Sequence, residues 1–208
     1  MLCSLCNGRT KPFLKWKDLE YARCKNCKAV LLLPDCYLPS EDEKNRYLRH
    51  NNNVTDPSYV EFTAPVTEAI LKDFTKEAYG LDYGCGTGPV IANQLQSKGY
   101  KIALYDYFFK DDKNLLKLKY DFIICSEVME HFHYPAAEFR ELAAMLNPGG
   151  KLYCKTSLYF NTIDFENWYY KNDNTHVIFY TEKSLKWIKE NINFSSVTIS
   201  RELIVFKK

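Results

Sequence analysis

Cys3-Ser4-Leu5-Cys6 is followed, after 17 residues, by Cys24-Lys25-Asn26-Cys27. Two residues between thiolates let a tight turn aim both sulfurs at one ion, and two such turns complete a tetrahedron. The four cysteines Cys3, Cys6, Cys24 and Cys27 are therefore predicted to hold a structural zinc, whose coordination sphere they fill. A redox pair is disfavoured because the two pairs match and no strand–helix–strand pattern surrounds them. Gly8 is expected to allow the turn after the first pair. Cys36, Cys85, Cys125 and Cys154 stand outside the pattern and read as small buried residues.

A second chemical signal lies mid-chain. Asp82 precedes Gly84-Cys85-Gly86-Thr87-Gly88, and Asp106 follows 18 residues after Gly88. A glycine pattern alone is weak. Placed after a strand, before a helix and ahead of a strand-ending acid, it becomes a cofactor loop. An acid at the end of the second strand can accept hydrogen bonds from both ribose hydroxyls.

These residues need elements to position them. Leu31–Leu33 reads as a short ribbon strand. Pro34–Ser58 is rich in Pro, Asn, Asp and charge, with a loop signal at Asn51–Asn53 and Asp56-Pro57. Ser58–Phe74 has helical apolar spacing and predicts a helix or helix pair. Strands are predicted at 79–83, 101–105, 120–125 and 151–155. Helices are predicted from Pro89 to Gly99, from Pro135 to Leu146 and from Thr181 to Asn191. Residues 195–200 and 203–207 predict a closing hairpin. Strands alternating with helices predict an α/β fold, a Rossmann-like and mostly parallel sheet with an antiparallel terminal hairpin. The expected organisation is a zinc ribbon (1–37), a linker (38–57) and a main domain (58–208).

Composition excludes several classes. The 208 residues are 46% hydrophobic and 26% charged, with only 8 Gly and 8 Pro, against disorder or collagen. The net charge of +2 is too small for a strong nucleic-acid binder. It is uneven, with ten basic against six acidic residues in 1–50. No run approaches the roughly 18 apolar residues of a membrane span. No signal peptide is visible at the N-terminus, so the expected setting is a reducing cytoplasm.

The motifs together resemble a known family. Residues 81–88, LDYGCGTG, look like motif I of the class I S-adenosylmethionine-dependent methyltransferases. Asp106 in LYDYF matches their ribose-binding acid. YDFIICSEVMEH (120–131) and LNPGGKL (146–152) are similar to segments flanking their later strands, in small-molecule enzymes especially. The resemblance covers roughly 58–208, and the cysteine ribbon resembles segments fused to some such enzymes. It implies that Asp82, Gly84, Gly86 and Gly88 wrap the methionine part of the cofactor. It gives the ribose to Asp106, the adenine border to Tyr107 or Phe108, the cationic end to Glu127 and the lid to Tyr59 and Phe62. Only 14 residues separate Asp106 from Asp121, so the family's third strand is expected to be short or absent. Asp111 or Asp112 would then stand in for its adenine-contacting acid.

Methyl transfer needs alignment of the acceptor behind the methyl group, exclusion of water, and a base if the acceptor is a hydroxyl. His131, His133 and His176 are candidate bases, with Asp173 as an orienting partner. Residues 165–180 hold Trp168, Tyr169, Tyr170, Phe179 and Tyr180, suited either to an apolar or ring-bearing substrate or to covering the sheet end. The leading expectation is O-methylation of a small molecule. The alternatives are an RNA or protein methyltransferase recognising its target through the basic ribbon, and a non-catalytic binding protein. Nucleic acid is disfavoured by the charge and by Ser126-Glu127-Val128-Met129, where an amino-group motif would stand.

Overall fold

The structure, a computed structural model, describes residues 1–49 and 53–208. Asn51 and Asn52 of the expected loop lie outside the described residues. At the N-terminus, β1 (Thr10–Trp16), β2 (Leu19–Cys24) and β3 (Val30–Leu32) form an antiparallel ribbon. Helix α1 (Ser40–Tyr47) follows, inside the stretch expected to be linker. Its composition, SEDEKNRY, has no apolar repeat to reveal it. Helix α2 is a single helix, Pro57–Asp73. Pro57 occupies its first turn, where the missing N–H costs nothing, and the Asp56 carboxylate caps the Ser58 N–H at 2.9 Å.

Then β4 (Tyr79–Tyr83), α3 (Val90–Ser97), β5 (Lys101–Tyr105), β6 (Tyr120–Ser126), α4 (Pro135–Met145) and β7 (Leu146–Lys155) alternate. A two-residue strand, β8 (Ile178–Phe179), precedes α5 (Glu182–Asn191) and the hairpin β9 (Ser196–Ile199) and β10 (Ile204–Lys207). Thr181 and Ser184 form a reciprocal capping box that starts α5. The main sheet has the order β5-β4-β6-β7-β10-β9. Its first four strands are parallel and its last two antiparallel. Residues 107–119 form no strand. They hold a bridge between Asp106 and Lys110 and one 3-10 turn, Leu115–Lys117, so the sheet ends at β5.

Both faces of β6 are covered, and its alternation sorts the core. Phe122 and Ile124 pack under α2 and α3 with Val66, Ile70 and Leu95. Ile123 and Cys125 face the other layer, with Phe139 and Leu142 of α4 and Leu185 and Ile188 of α5. Leu5, Tyr21 and Ala29–Leu32 of the ribbon join this second cluster. The junction is hydrogen-bonded as well: β3 pairs with the distant β8, giving a small sheet of order β1-β2-β3-β8. Among the described residues no helix is long and apolar enough to cross a membrane.

Candidate active site and cysteine cluster

The loop after β4 is tied to the end of β5. Gly84 and Cys85 donate their N–H groups to the Tyr105 carbonyl at 2.8 and 3.1 Å. Gly84 has φ of +80°, and a Cβ there would sit 2.5 Å from the Val128 side chain, so both backbone and space require glycine. Asp106 is 8% exposed and braces the same loop. Its Oδ2 accepts the Gly86 N–H at 2.9 Å, and its Oδ1 accepts the N–H groups of Phe108 and Phe109 at 2.8 and 3.1 Å. A carboxylate offers about four lone-pair directions, so about one remains for a ligand hydroxyl. Asp82 is buried behind the loop. Burial, and then the nearby Asp106 charge, push its carboxyl up to about 7. Gly88 is buried too.

A cavity of about 570 Å³ opens in front of this loop. Gly84, Gly86, Asp106, Tyr107, Glu127 and His131 line it, so it brings together most of the residues singled out in the sequence. Phe108, suggested beside Tyr107, also lines it. Glu127 takes a left-handed backbone (φ +53°), anchored by its N–H to the Lys155 carbonyl at 2.8 Å. Its largely buried carboxyl is pushed up to about 7 by desolvation. Tyr59 of α2 lies near both acids: burial, then the charges of Asp82 and Glu127, raise its hydroxyl to about 12. Its ring stacks on Phe62, and the Lys155 ammonium sits 4.2 Å from the Phe62 ring centre. Asp111 accepts from the Tyr105 hydroxyl at 3.2 Å.

Helix α1 forms a wall that the sequence did not announce. Glu43 and Tyr47 line the cavity, with the Tyr47 hydroxyl donating to Glu43 at 2.6 Å. The Tyr47 ring lies 5.6 Å from Phe108 and 5.2 Å from His131. Arg46 reaches across to Asp173 at 2.7 Å, which also accepts from the Thr175 hydroxyl at 2.6 Å. His176 is buried behind His131, ring centres 4.8 Å apart, and His133 lines the cavity near Glu43. The signal available for α1 was the spacing of Glu43 and Tyr47, four residues apart and so on one helical face.

The aromatic stretch serves packing more than substrate. Phe165 contacts Tyr21 at 5.2 Å, Phe13 at 5.3 Å and Phe179 at 5.0 Å, and Trp168 contacts Phe179 at 5.8 Å. These rings fill the junction between ribbon and sheet. Tyr180 is fully buried, and Tyr169 is 70% exposed. Only the Tyr170 hydroxyl reaches the site, donating to Glu130 and, at 3.2 Å, to Glu127.

The cysteine pairs converge. Cys3, Cys6, Cys24 and Cys27 present sulfurs that all lie within 4.8 Å of one another, with pairs at 3.7 Å (Cys3–Cys27) and 3.4 Å (Cys6–Cys24). A zinc tetrahedron with bonds of about 2.3 Å has edges of about 3.8 Å, so the donor set fits a zinc ion. The Asn26 N–H points at the Cys24 sulfur at 3.3 Å, as thiolate support requires. The turn itself differs from expectation. Asn7 and Lys28 take the left-handed backbone, while a Cβ at Gly8 would lie 2.9 Å from the Asn26 Cβ and 3.1 and 3.2 Å from the Cys6 and Cys24 sulfurs. All eight cysteines are free thiols; Cys36 is half-buried, while Cys85, Cys125 and Cys154 are buried as expected.

A parallel sheet with a glycine loop, acids ending its first two strands and an antiparallel closing hairpin defines a nucleotide-cofactor enzyme of the α/β class. The chain belongs to a methyltransferase family: a family model described as a methyltransferase domain matches residues 45–199. No curated protein matches it. Among solved structures it is similar to the Burkholderia thailandensis 1,6-didemethyltoxoflavin-N1-methyltransferase, solved with bound 1,6-didemethyltoxoflavin and S-adenosylhomocysteine. The two are 14% identical, over 95% of this chain and 99% of that one, with a TM-score of 0.55. It is also similar to an O-methyltransferase family protein from Burkholderia thailandensis, at 11% identity and a TM-score of 0.51. That match covers 71% of this chain and only 56% of the other, so the chain spans little more than half that protein's length. Likeness at this identity establishes the shared fold.

Proposed function

We propose that the protein methylates an oxygen of a small molecule, with S-adenosylmethionine as donor. The observation that carries this is the single cavity of about 570 Å³ joining the glycine loop and Asp106 to His131. That volume lies in the usual range for small-ligand sites. S-adenosylmethionine supplies a methyl group already activated on a sulfonium. The residues fit it chemically. Asp106 offers an acceptor to a ribose hydroxyl, Tyr107 and Phe108 border the adenine, and Asp82 and Glu127 favour the cationic end, with Gly84, Gly86 and Gly88 making room. Tyr59 covers this half.

The acceptor occupies the half of the cavity walled by α1, with its hydroxyl toward His131. Bound in the other half, the cofactor would supply the methyl group and keep the electron pair of the broken sulfur–methyl bond. The hydroxyl proton leaves on the imidazole side. His176 and Asp173 belong to the layer that holds His131 in place. Zinc on Cys3, Cys6, Cys24 and Cys27 is proposed as structural, since four thiolates leave no open position. Four thiolates given to a metal suit a reducing, cytoplasmic setting, which is part of this proposal.

The test is calorimetric titration with S-adenosylhomocysteine, followed by assay of hydroxylated ring compounds as acceptors. Saturable cofactor binding with methylation of a small hydroxylated acceptor is expected. Absence of cofactor binding, or steeply salt-dependent RNA binding with methylation of RNA alone, would overturn the reading.

A further inference from the structure

Behind the acceptor half of the cavity lies a cluster of groups that the reading above leaves underused. One segment is the 3-10 turn Met129–His131 after β6; the other is Thr175–Val177, leading into β8. They are locked together by the Val177 N–H on the Glu130 carbonyl at 2.9 Å. A carboxylate oxygen of Glu130 and one ring nitrogen each of His131 and His176 all lie within 4.8 Å of one another.

Each ring has its Nδ1 on a backbone carbonyl, which sets its tautomer. His131 Nδ1 lies 3.0 Å from the Thr175 carbonyl, and His176 Nδ1 lies 2.7 Å from the Tyr170 carbonyl. A carbonyl only accepts, so Nδ1 carries the proton and, in the neutral ring, Nε2 carries the lone pair. The carboxylate is the stronger observation. Glu130 is fully buried. Its Oε1 accepts the Tyr170 hydroxyl, while its Oε2 has no hydrogen-bond partner among the described residues. Buried carboxylate oxygens are ordinarily satisfied by donors or by a cation.

We propose that Glu130, His131 and His176 bind a divalent transition-metal ion at the back of the acceptor cavity. Two imidazoles and one carboxylate suit manganese, iron, cobalt, nickel or zinc, and suit magnesium or calcium less well. The set is chemically distinct from the four thiolates of the ribbon. Three protein ligands leave coordination positions open. His131 lines the cavity, so an open position faces the acceptor. The acceptor class this selects is an oxygen ligand, best of all two adjacent oxygens such as a vicinal diol or hydroxy-ketone. This part rests on the proposed methylation of a hydroxyl, with the bound ion replacing the His131 imidazole as the group that promotes loss of the hydroxyl proton to solvent; the metal site itself does not rest on it.

The experiment uses the full chain with its cysteine cluster saturated by zinc. Mn²⁺ is titrated and the free ion followed by electron paramagnetic resonance; bound Fe²⁺, Co²⁺, Ni²⁺ and Zn²⁺ are counted by elemental analysis after dialysis. One ion per chain beyond the thiolate-bound zinc is expected. Glu130→Gln, His131→Gln and His176→Gln should each weaken it at least tenfold while leaving the thiolate-bound zinc in place. S-adenosylhomocysteine titration runs in parallel. If the wild type binds the cofactor but none of these ions outside the cysteine cluster, the metal site is wrong and the methyltransferase reading stands. Binding that survives all three substitutions overturns it equally. Should a buried variant fail to fold, His131→Gln, on the cavity wall, decides the matter.

Discussion

Asp106→Asn separates two jobs of one carboxylate. In the wild type Oδ2 accepts the Gly86 N–H and Oδ1 accepts the Phe108 and Phe109 N–H groups. Asparagine keeps one acceptor oxygen. Turned toward Phe108 and Phe109, it presents its own amide N–H₂ to the Gly86 N–H, donor against donor. The half-buried Gly86 N–H loses its acceptor, which costs about 0.5–1.5 kcal/mol of stability. The ribose hydroxyl loses a charged acceptor, a bond worth about 1.5–3 kcal/mol. At about 1.4 kcal/mol per tenfold, cofactor affinity should fall about 10- to 100-fold. Calorimetry with S-adenosylhomocysteine reads the second effect, and urea unfolding without ligand reads the first. If the unliganded protein loses stability while its Kd stays within about threefold of wild type, Asp106 only braces the glycine loop. The ribose assignment is then refuted.

The other predictions follow from named contacts. Asp82 keeps its proton up to about pH 7 in the fold, but only to about pH 4 unfolded. The native state therefore binds more protons across this window, so Asp82's contribution makes unliganded stability fall as pH rises from about 4 to 7. Over the upper part of that window affinity for the cationic S-adenosylmethionine should rise with pH, and Asp82→Asn should flatten the profile; an unchanged profile refutes it. Gly84→Ala should cost about 2 kcal/mol or more in chemical denaturation, because of the positive φ and the 2.5 Å approach to Val128. Cys24→Ser should lower the melting temperature of the whole chain by at least about 5 °C. A separate early transition of the ribbon, with the main transition unmoved, would show that it is not coupled. Arg46→Ala breaks the 2.7 Å bridge to Asp173 and should raise acceptor KM about 3- to 10-fold with cofactor Kd unchanged.

The parts legible in the sequence were those with a local physical cause. The glycine loop, its flanking strands and the paired cysteines each have a spacing fixed by one turn or one ion. The start of α5 was marked by Thr181, whereas Asp56-Pro57, which reads as a loop, caps α2. What stayed hidden depends on distant partners. Helix α1 carries seven charged or polar residues out of eight before a single tyrosine, so it has no apolar periodicity to reveal it. β8 is two residues long and exists only because β3 offers it an edge. The rings of 165–180 are indistinguishable in sequence from a substrate pocket, yet their partners are Phe13 and Tyr21, some 150 residues away in the chain. Glu130 lay in plain view beside His131, but nothing in its sequence context announces a buried oxygen without a donor.

The ribbon's place in the fold explains why a structural cluster accompanies this site. The β3–β8 ladder pairs Val30 with Phe179 and Leu31 with Ile178, and it is continued by the Leu32 N–H on the Val177 carbonyl at 2.9 Å. Val177 immediately follows His176, and its own N–H holds the Glu130 carbonyl. On the other side of the ladder the Thr181 hydroxyl bonds the carbonyl of Cys27, itself one of the four thiols, at 3.2 Å. A two-residue strand has too few hydrogen bonds to hold this segment by itself. Its position is set by β3, and β3 is held by the turn that Cys24 and Cys27 close. An ion bound at the four sulfurs would thus fix the positions of His176 and Glu130 through this ladder. The glycine loop is braced instead by β5 and Asp106. Weakening the cysteine cluster should therefore disturb the acceptor half of the site and spare the cofactor half.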